Sequence, residues 1–186
     1  MERSKGLTET RLSGWPKMRS YVNINFLPAG ANALVDANIF IYHLGGLSTD
    51  CKDFLHRVVR GEVTAHITTA IIAEVLHRRM IAEALTKGLI FPGQPLKKLK
   101  ANPAIISALI DYITEIEKLL QLPLRVAEIT AADVAASHDL RRTHGLLVND
   151  SINLACATRL GITDIITHDS DFNRVPAIRV WEPTDI

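Results

Sequence analysis

The chain has 186 residues, a formal charge of +1 and a hydrophobic share of 47%, enough to bury one substantial core and better suited to one domain than to two. The near-neutral balance carries no overall nucleic-acid footprint, and no run approaches the roughly 18 apolar residues of a spanning helix. Cys51 and Cys156 stand far apart without a C-x-x-C, which argues against a disulfide framework and a zinc knuckle and suits a soluble protein of the reducing cytoplasm, with no membrane partner.

The opening stretch, "MERSKGLTETRLSGWPKMRSYVNINFLPAG", has five basic and two acidic residues, little periodicity and a Gly-Trp-Pro turn. It reads as a loosely ordered arm over residues 1–30, ahead of a globular domain over 31–186. It has no apolar leader segment, and Met18, close to the first strand, is an alternative start.

"ALVDA" then reads as a short buried strand. "CKDFLHRVVR" follows with apolar positions 51, 54, 55, 58 and 59, the stripe of an amphipathic helix, and Gly61 stops it. "EVTAHIT" predicts a second strand, and Thr68 or Thr69 caps the helix "AIIAEVLHRRMIAEAL", whose positions 71, 72, 75, 76 and 80 face inward. "FPGQPLKKLKANP" reads as an unpatterned connection, "AIISALIDYITEIEKLL" as one long helix, and "LRVAEI" as a third strand. Thr130 opens the helix "AADVAASHDLRRTH" and Gly145 closes it. "DSINLACATRL" is a further helix closed by Gly161, and "DIIT" and "IRVW" complete the strands. Alternating strands and helices predict an α/β fold with a parallel sheet covered on both faces.

Ligands of such sheets bind beyond the carboxyl ends of the strands. Asp36 follows "ALV", Asp169 follows "DIITH", Asp150 begins a helix after "LLVN", and Glu74 lies early in the helix after "AHIT". Four acids from distant parts of the chain are thus expected on one rim. Their mutual repulsion favours raised pKa values or a bound cation, and an oxygen-only donor set suits a hard ion such as Mg²⁺ or Mn²⁺.

"VDANIFIY", "AEVLHR", "LLVNDSINLACA" and "IITHDSDF" resemble, in order and spacing, the successive motifs of PIN-domain nucleases, most closely those of VapC-type toxins of toxin–antitoxin pairs. The resemblance covers about Ala33 to Pro183. It implies a compact three-layer α/β/α sandwich with a central, mainly parallel sheet, an Mg²⁺- or Mn²⁺-dependent endoribonuclease activity, and catalytic carboxylate roles for Asp36, Glu74, Asp150 and Asp169. Asp36, Asp150 and Asp169 are the expected metal ligands, and Glu74 either ligates or acts as base. Asp171 ranks behind Asp169 as a supporting acid. Asn38 orients Asp36 or a water, and Thr167 holds a nearby carboxylate by its hydroxyl.

Each acid also has an ordinary structural reading. Asp36 and Asp150 are possible helix N-caps, Asp169 fits an Asx-turn, and Glu74 can pair with Arg78 four residues on, a contact worth about 0.3–0.5 kcal/mol. Those readings leave the shared rim a coincidence. The histidines show no H-E-x-x-H spacing, and only His168 stands beside the rim.

With the four acids assigned to a cation, the remaining chain is more basic than its formal charge indicates. Arg78, Arg79, Lys97, Lys98, Lys100, Arg141, Arg142 and Arg174 become candidates for phosphate contact. RNA as substrate, a cognate antitoxin and a homodimer follow from the resemblance; such an antitoxin could place an Arg or Lys against Asp36, Asp150 and Asp169 and lay an amphipathic helix in an apolar groove near the "AIIAEVL" helix and the Pro-rich loop. Two alternatives belong to other classes. A haloacid-dehalogenase-like phosphatase needs D-x-D, where this chain has Asn38 as the second member. A non-catalytic PIN-like module binds RNA or protein without cutting. No P-loop or nucleophile-elbow motif is present.

Overall fold

The computed structural model describes residues 22–186. Most of the arm expected from the sequence, together with Met18, lies outside them. Its last stretch does not behave as an arm: a 3₁₀ turn at Ile24–Phe26 buries Ile24, and Leu27 is buried just after it, both within the main core.

Five strands form one all-parallel sheet: β1 (Asn32–Val35), β2 (Thr64–Thr68), β3 (Arg125–Ala127), β4 (Asp164–Ile166) and β5 (Arg179–Trp181), in the order β3-β2-β1-β4-β5. Ala33, Leu34 and Val35 of β1 are all buried, as is every residue of β4. Successive strand residues point to opposite faces, so both faces of the central strands are covered and the expected three-layer α/β/α architecture follows. The sheet winds outward from β1 to β3, then returns to add β4 and β5 on the other side of β1. β1 and β4 therefore meet where the winding reverses, and a crevice opens beyond their carboxyl ends.

The helices are α1 (Ala37–Leu44), α2 (Thr49–Val59), α3 (Thr69–Thr86), α4 (Pro95–Ala101), α5 (Pro103–Ala108), α6 (Asp111–Leu120), α7 (Ala131–His144) and α8 (Val148–Arg159). Their boundaries follow local chemistry. Thr68 caps α3 by accepting from the Ile71 N–H, and Thr130 and Asp133 form a reciprocal capping box on α7. Gly145 ends α7 at φ 66°, a left-handed conformation that costs glycine little. Cys51 and Cys156 are free and buried, and among the described residues no helix is long and apolar enough to cross a membrane.

Residues 91–120 depart from the sequence reading. The stretch expected to be an unpatterned connection contains α4, started by Pro95 at its first turn. The single long helix expected over 104–120 is two, α5 and α6, broken where Leu109 turns extended. Both departures have one cause. Leu99 and Leu109 turn inward to a second, smaller core with Ala84 and Ile90. The carboxylate of Glu83, on α3, then accepts from the free N–H groups of Ile110 and Tyr112 at 3.2 and 2.8 Å. A side chain 27 residues upstream thus caps α6 in place of a local one.

Candidate active site

The crevice beyond β1 and β4 is a cavity of about 590 Å³ whose lining includes Asp36, Glu74, Asp150 and Asp169. Four elements deliver them. Asp36 is the residue between β1 and α1, Glu74 is in the second turn of α3, Asp150 is in the first turn of α8, and Asp169 follows β4. All four are partly buried.

The ordinary readings of these acids hold for some of them without removing them from the cavity. Asp36 Oδ1 caps α1 through the Ala37 N–H at 2.7 Å, and Asp169 Oδ1 accepts from the Asp171 N–H at 2.8 Å in an Asx-turn. Glu74 Oε1 lies 3.2 Å from Arg78 Nε. Asp150 is not the N-cap of α8, a position held by Leu147, and no donor among the described residues is paired with it.

Asp36 is held from a second side. Its Oδ2 accepts from Thr167 Oγ1 and from Asn38 Nδ2, both at 2.7 Å. Asn38 uses its other end as well, accepting from the His168 N–H at 3.3 Å. Asn38 and Thr167 are therefore both hydrogen-bonded to the Asp36 carboxylate. Asp171 does not line the cavity: its backbone holds Asp169, while its carboxylate accepts from Arg174 Nη2 at 2.7 Å.

The electrostatics record the crowding. Burial pushes the Asp36 carboxyl up to about 6, with the charges of Glu74 and Asp169 adding to it, although the Thr167 hydroxyl and the Ala37 N–H pull the other way. Burial also pushes Asp150 up to about 6, with the charges of Asp36, Asp169, Glu74 and Asp171 reinforcing the shift. A cation in the cavity would relieve both. Asp36, Glu74, Asp150 and Asp169 offer only hard oxygen donors, which fit Mg²⁺ or Mn²⁺ by chemistry. Among the described residues no three acids, histidines or cysteines are gathered tightly enough to close on an ion as they stand.

Of the basic residues singled out from sequence, Arg78 lines this cavity. Arg79 is occupied by a two-pronged pair with Glu115 at 2.7 Å, Arg141 by the hydroxyls of Ser137 and Ser151, and Lys98 by the carbonyls of Phe91 and Pro92. Tyr42, Leu147 and Val148 also line the cavity and were not anticipated. For Tyr42 the signal was available, because it stands four residues after Asn38 on α1 and shares its face.

No curated protein matches the sequence. Among solved structures, VapBC2 from Rickettsia felis, bound to a DNA fragment from its promoter, contains a chain that is 15% identical, with 82% of this chain and 98% of that one covered and a TM-score of 0.56. DNA-bound VapBC from Salmonella typhimurium is similar at 14% identity, with the same coverage and a TM-score of 0.50. The similar chains are the toxins of these toxin–antitoxin complexes, and at this identity the likeness concerns the fold. The sequence pattern of the PIN domain matches residues 33–178, most of the chain and all four acids of the cavity, and the chain therefore belongs to the PIN-domain family.

Proposed function

We propose that the chain is a divalent-metal-dependent endoribonuclease, hydrolysing RNA phosphodiester bonds, and the toxin of a toxin–antitoxin pair. The observation that carries this reading is the convergence of four carboxylates, from four separate elements, on one cavity at the reversal point of the sheet. Asp36, Asp150 and Asp169 are the residues to hold Mg²⁺ or Mn²⁺, and Glu74 either joins them or acts as base. When bound, such an ion neutralises charge on the scissile phosphate and makes water a stronger nucleophile.

The chain's own groups supply the positioning. Thr167 and Asn38 fix the Oδ2 of Asp36, and the Ala37 N–H fixes its Oδ1, so this carboxylate presents one defined orientation. The Asp171 N–H does the same for Asp169. Glu74 has one oxygen engaged with Arg78, which leaves the other able to take a proton from an attacking water.

A nuclease of this kind needs restraint in its own host, and the solved relatives are toxin–antitoxin complexes. We assign a small antitoxin as partner, with an Arg or Lys against the acids in competition with metal and substrate. Phe91, Leu96, Ile110 and Ile113 are exposed around the second core and offer apolar surface to an amphipathic antitoxin helix. A homodimer through helical faces remains part of the same proposal.

The test is to incubate purified protein with structured RNAs in Mg²⁺ and Mn²⁺, and to express it with and without the short reading frame beside its gene. Cleavage lost in Asp36→Asn, and growth arrest relieved by the neighbour, are the expected results. Uncut RNA in both metals, with harmless expression, would leave the non-catalytic binding module as the better account.

A further inference from the structure

The acid-lined cavity has one wall of different chemistry. Arg78 on α3, Tyr42 on α1 and His168 after β4 all line it. Tyr42 and His168 meet edge to face, with ring centroids 6.0 Å apart and planes at 80°. Arg78 is 58% exposed at its side chain, and its ion pair with Glu74 is a partly exposed i,i+4 contact, a class that is weak and readily exchanged. No other Lys or Arg lines the cavity among the described residues.

A phosphodiester approaching four carboxylates is repelled unless something on the chain attracts it. Arg78 is placed to do so, because a guanidinium can exchange one carboxylate oxygen for a phosphate oxygen with the same fork of donors. Two perpendicular rings beside it form a corner, in which a base laid on one ring presents its edge to the other. A base can enter that corner only when it has left its helix, and unpairing costs a duplex but not a single strand.

We propose that Arg78, Tyr42 and His168 form the substrate wall of this cavity, with Arg78 holding a phosphate next to the one cut and the two rings receiving an unpaired base. This inference rests on the nuclease reading for the position of the scissile bond, but its test reads binding rather than cleavage.

The full chain carrying Asp36→Asn serves as the parent, titrated into a fluorescently labelled single-stranded RNA of mixed sequence and into the same RNA as a duplex, with anisotropy as the signal. The single strand should bind more tightly than the duplex. Arg78→Ala and Tyr42→Ala, each added to the parent, should weaken single-strand binding by about tenfold, whereas Tyr42→Phe, which keeps the ring, should stay close to the parent. Thermal melts of each variant identify any loss of folding, and Arg78→Lys supplies a second variant that keeps the charge but loses the fork, expected to fall between the two.

Single-strand binding unchanged in both alanine variants, absent in the parent, or no tighter than duplex binding overturns the wall. The nuclease reading is judged separately. Wild-type cleavage without any dependence of binding on Arg78 and Tyr42 removes the wall alone. Binding that depends on them in a protein that never cuts RNA removes the nuclease alone.

Discussion

The hydroxyl of Thr167 donates to Asp36 Oδ2 at 2.7 Å, and its acceptor positions are filled by Asn38 Nδ2 and the Asp169 N–H, each at 3.0 Å. A fully buried hydroxyl with one donor and two acceptor sites has no capacity left. It ties an acid after β1 to an acid after β4 through a single atom.

Thr167→Val keeps the shape and removes that atom. The hydrogen bond from Thr167 holds the Asp36 pKa down, so its loss should move that pKa further above 6 and shift the acid limb of the cleavage pH profile upward. Activity at neutral pH should fall by roughly tenfold, and Thr167→Ser should recover most of it. An unchanged pH profile in the valine variant would show that the hydroxyl does not position Asp36.

Asp150→Asn and Asp36→Asn should both abolish cleavage, yet differ in stability. Asp150 has no paired donor and carries a raised pKa, so neutralising it should stabilise the metal-free chain by about 1 kcal/mol once its partial exposure is allowed for. In Asp36→Asn a new amide meets the donors of Asn38 or Thr167, which offsets the relief. Urea melts at pH 7 in chelator decide this; equal shifts in the two variants would contradict it.

The pH dependence of metal-free stability should have two limbs. Asp36 and Asp150 have folded pKa values of about 6, above the ordinary 3.8, so their contribution is fully present below about pH 4 and is lost as pH rises through about 6. Glu83 is held down to about 2 by Lys87 and the backbone N–H groups of residues 110–112, despite its burial. Asp133 is held down to about 2 chiefly by Arg159. These two stabilise above pH 4.5 and lose their effect as pH falls toward 2. Melting temperatures across this range should peak between the limbs, and Asp36→Asn with Asp150→Asn should flatten only the upper one.

Glu83→Ala should cost about 1–3 kcal/mol, because it leaves the first turn of α6 without acceptors and Lys87 without a buried partner. The loss should appear in equilibrium unfolding. Hydrogen exchange should show the amides of Ile110 and Tyr112 losing protection before those of β1.

The same residue explains what sequence alone left hidden. The five strands and the helices capped by Thr68 and Thr130 were legible because their patterns and caps are local. The break between α5 and α6 was not, because its cause is a carboxylate on α3 and an inward turn of Leu109 onto Ala84. The four acids were legible as a group, since strand ends in a parallel sheet share a rim. Tyr42 was overlooked, although its place one turn after Asn38 on α1 puts it on the same face.

β1 sits at the centre of the sheet, and the strand that completes its second side, β4, begins with Asp164. Ribosomal synthesis runs from the N-terminus at about 5–20 residues per second. Asp36 thus cannot meet Asp169 until more than a hundred further residues have followed and β4 has docked. Closing so long a loop is slow compared with local helix formation. The carboxylate cluster is consequently assembled last, by the docking of β4 against β1, and not by any local folding step.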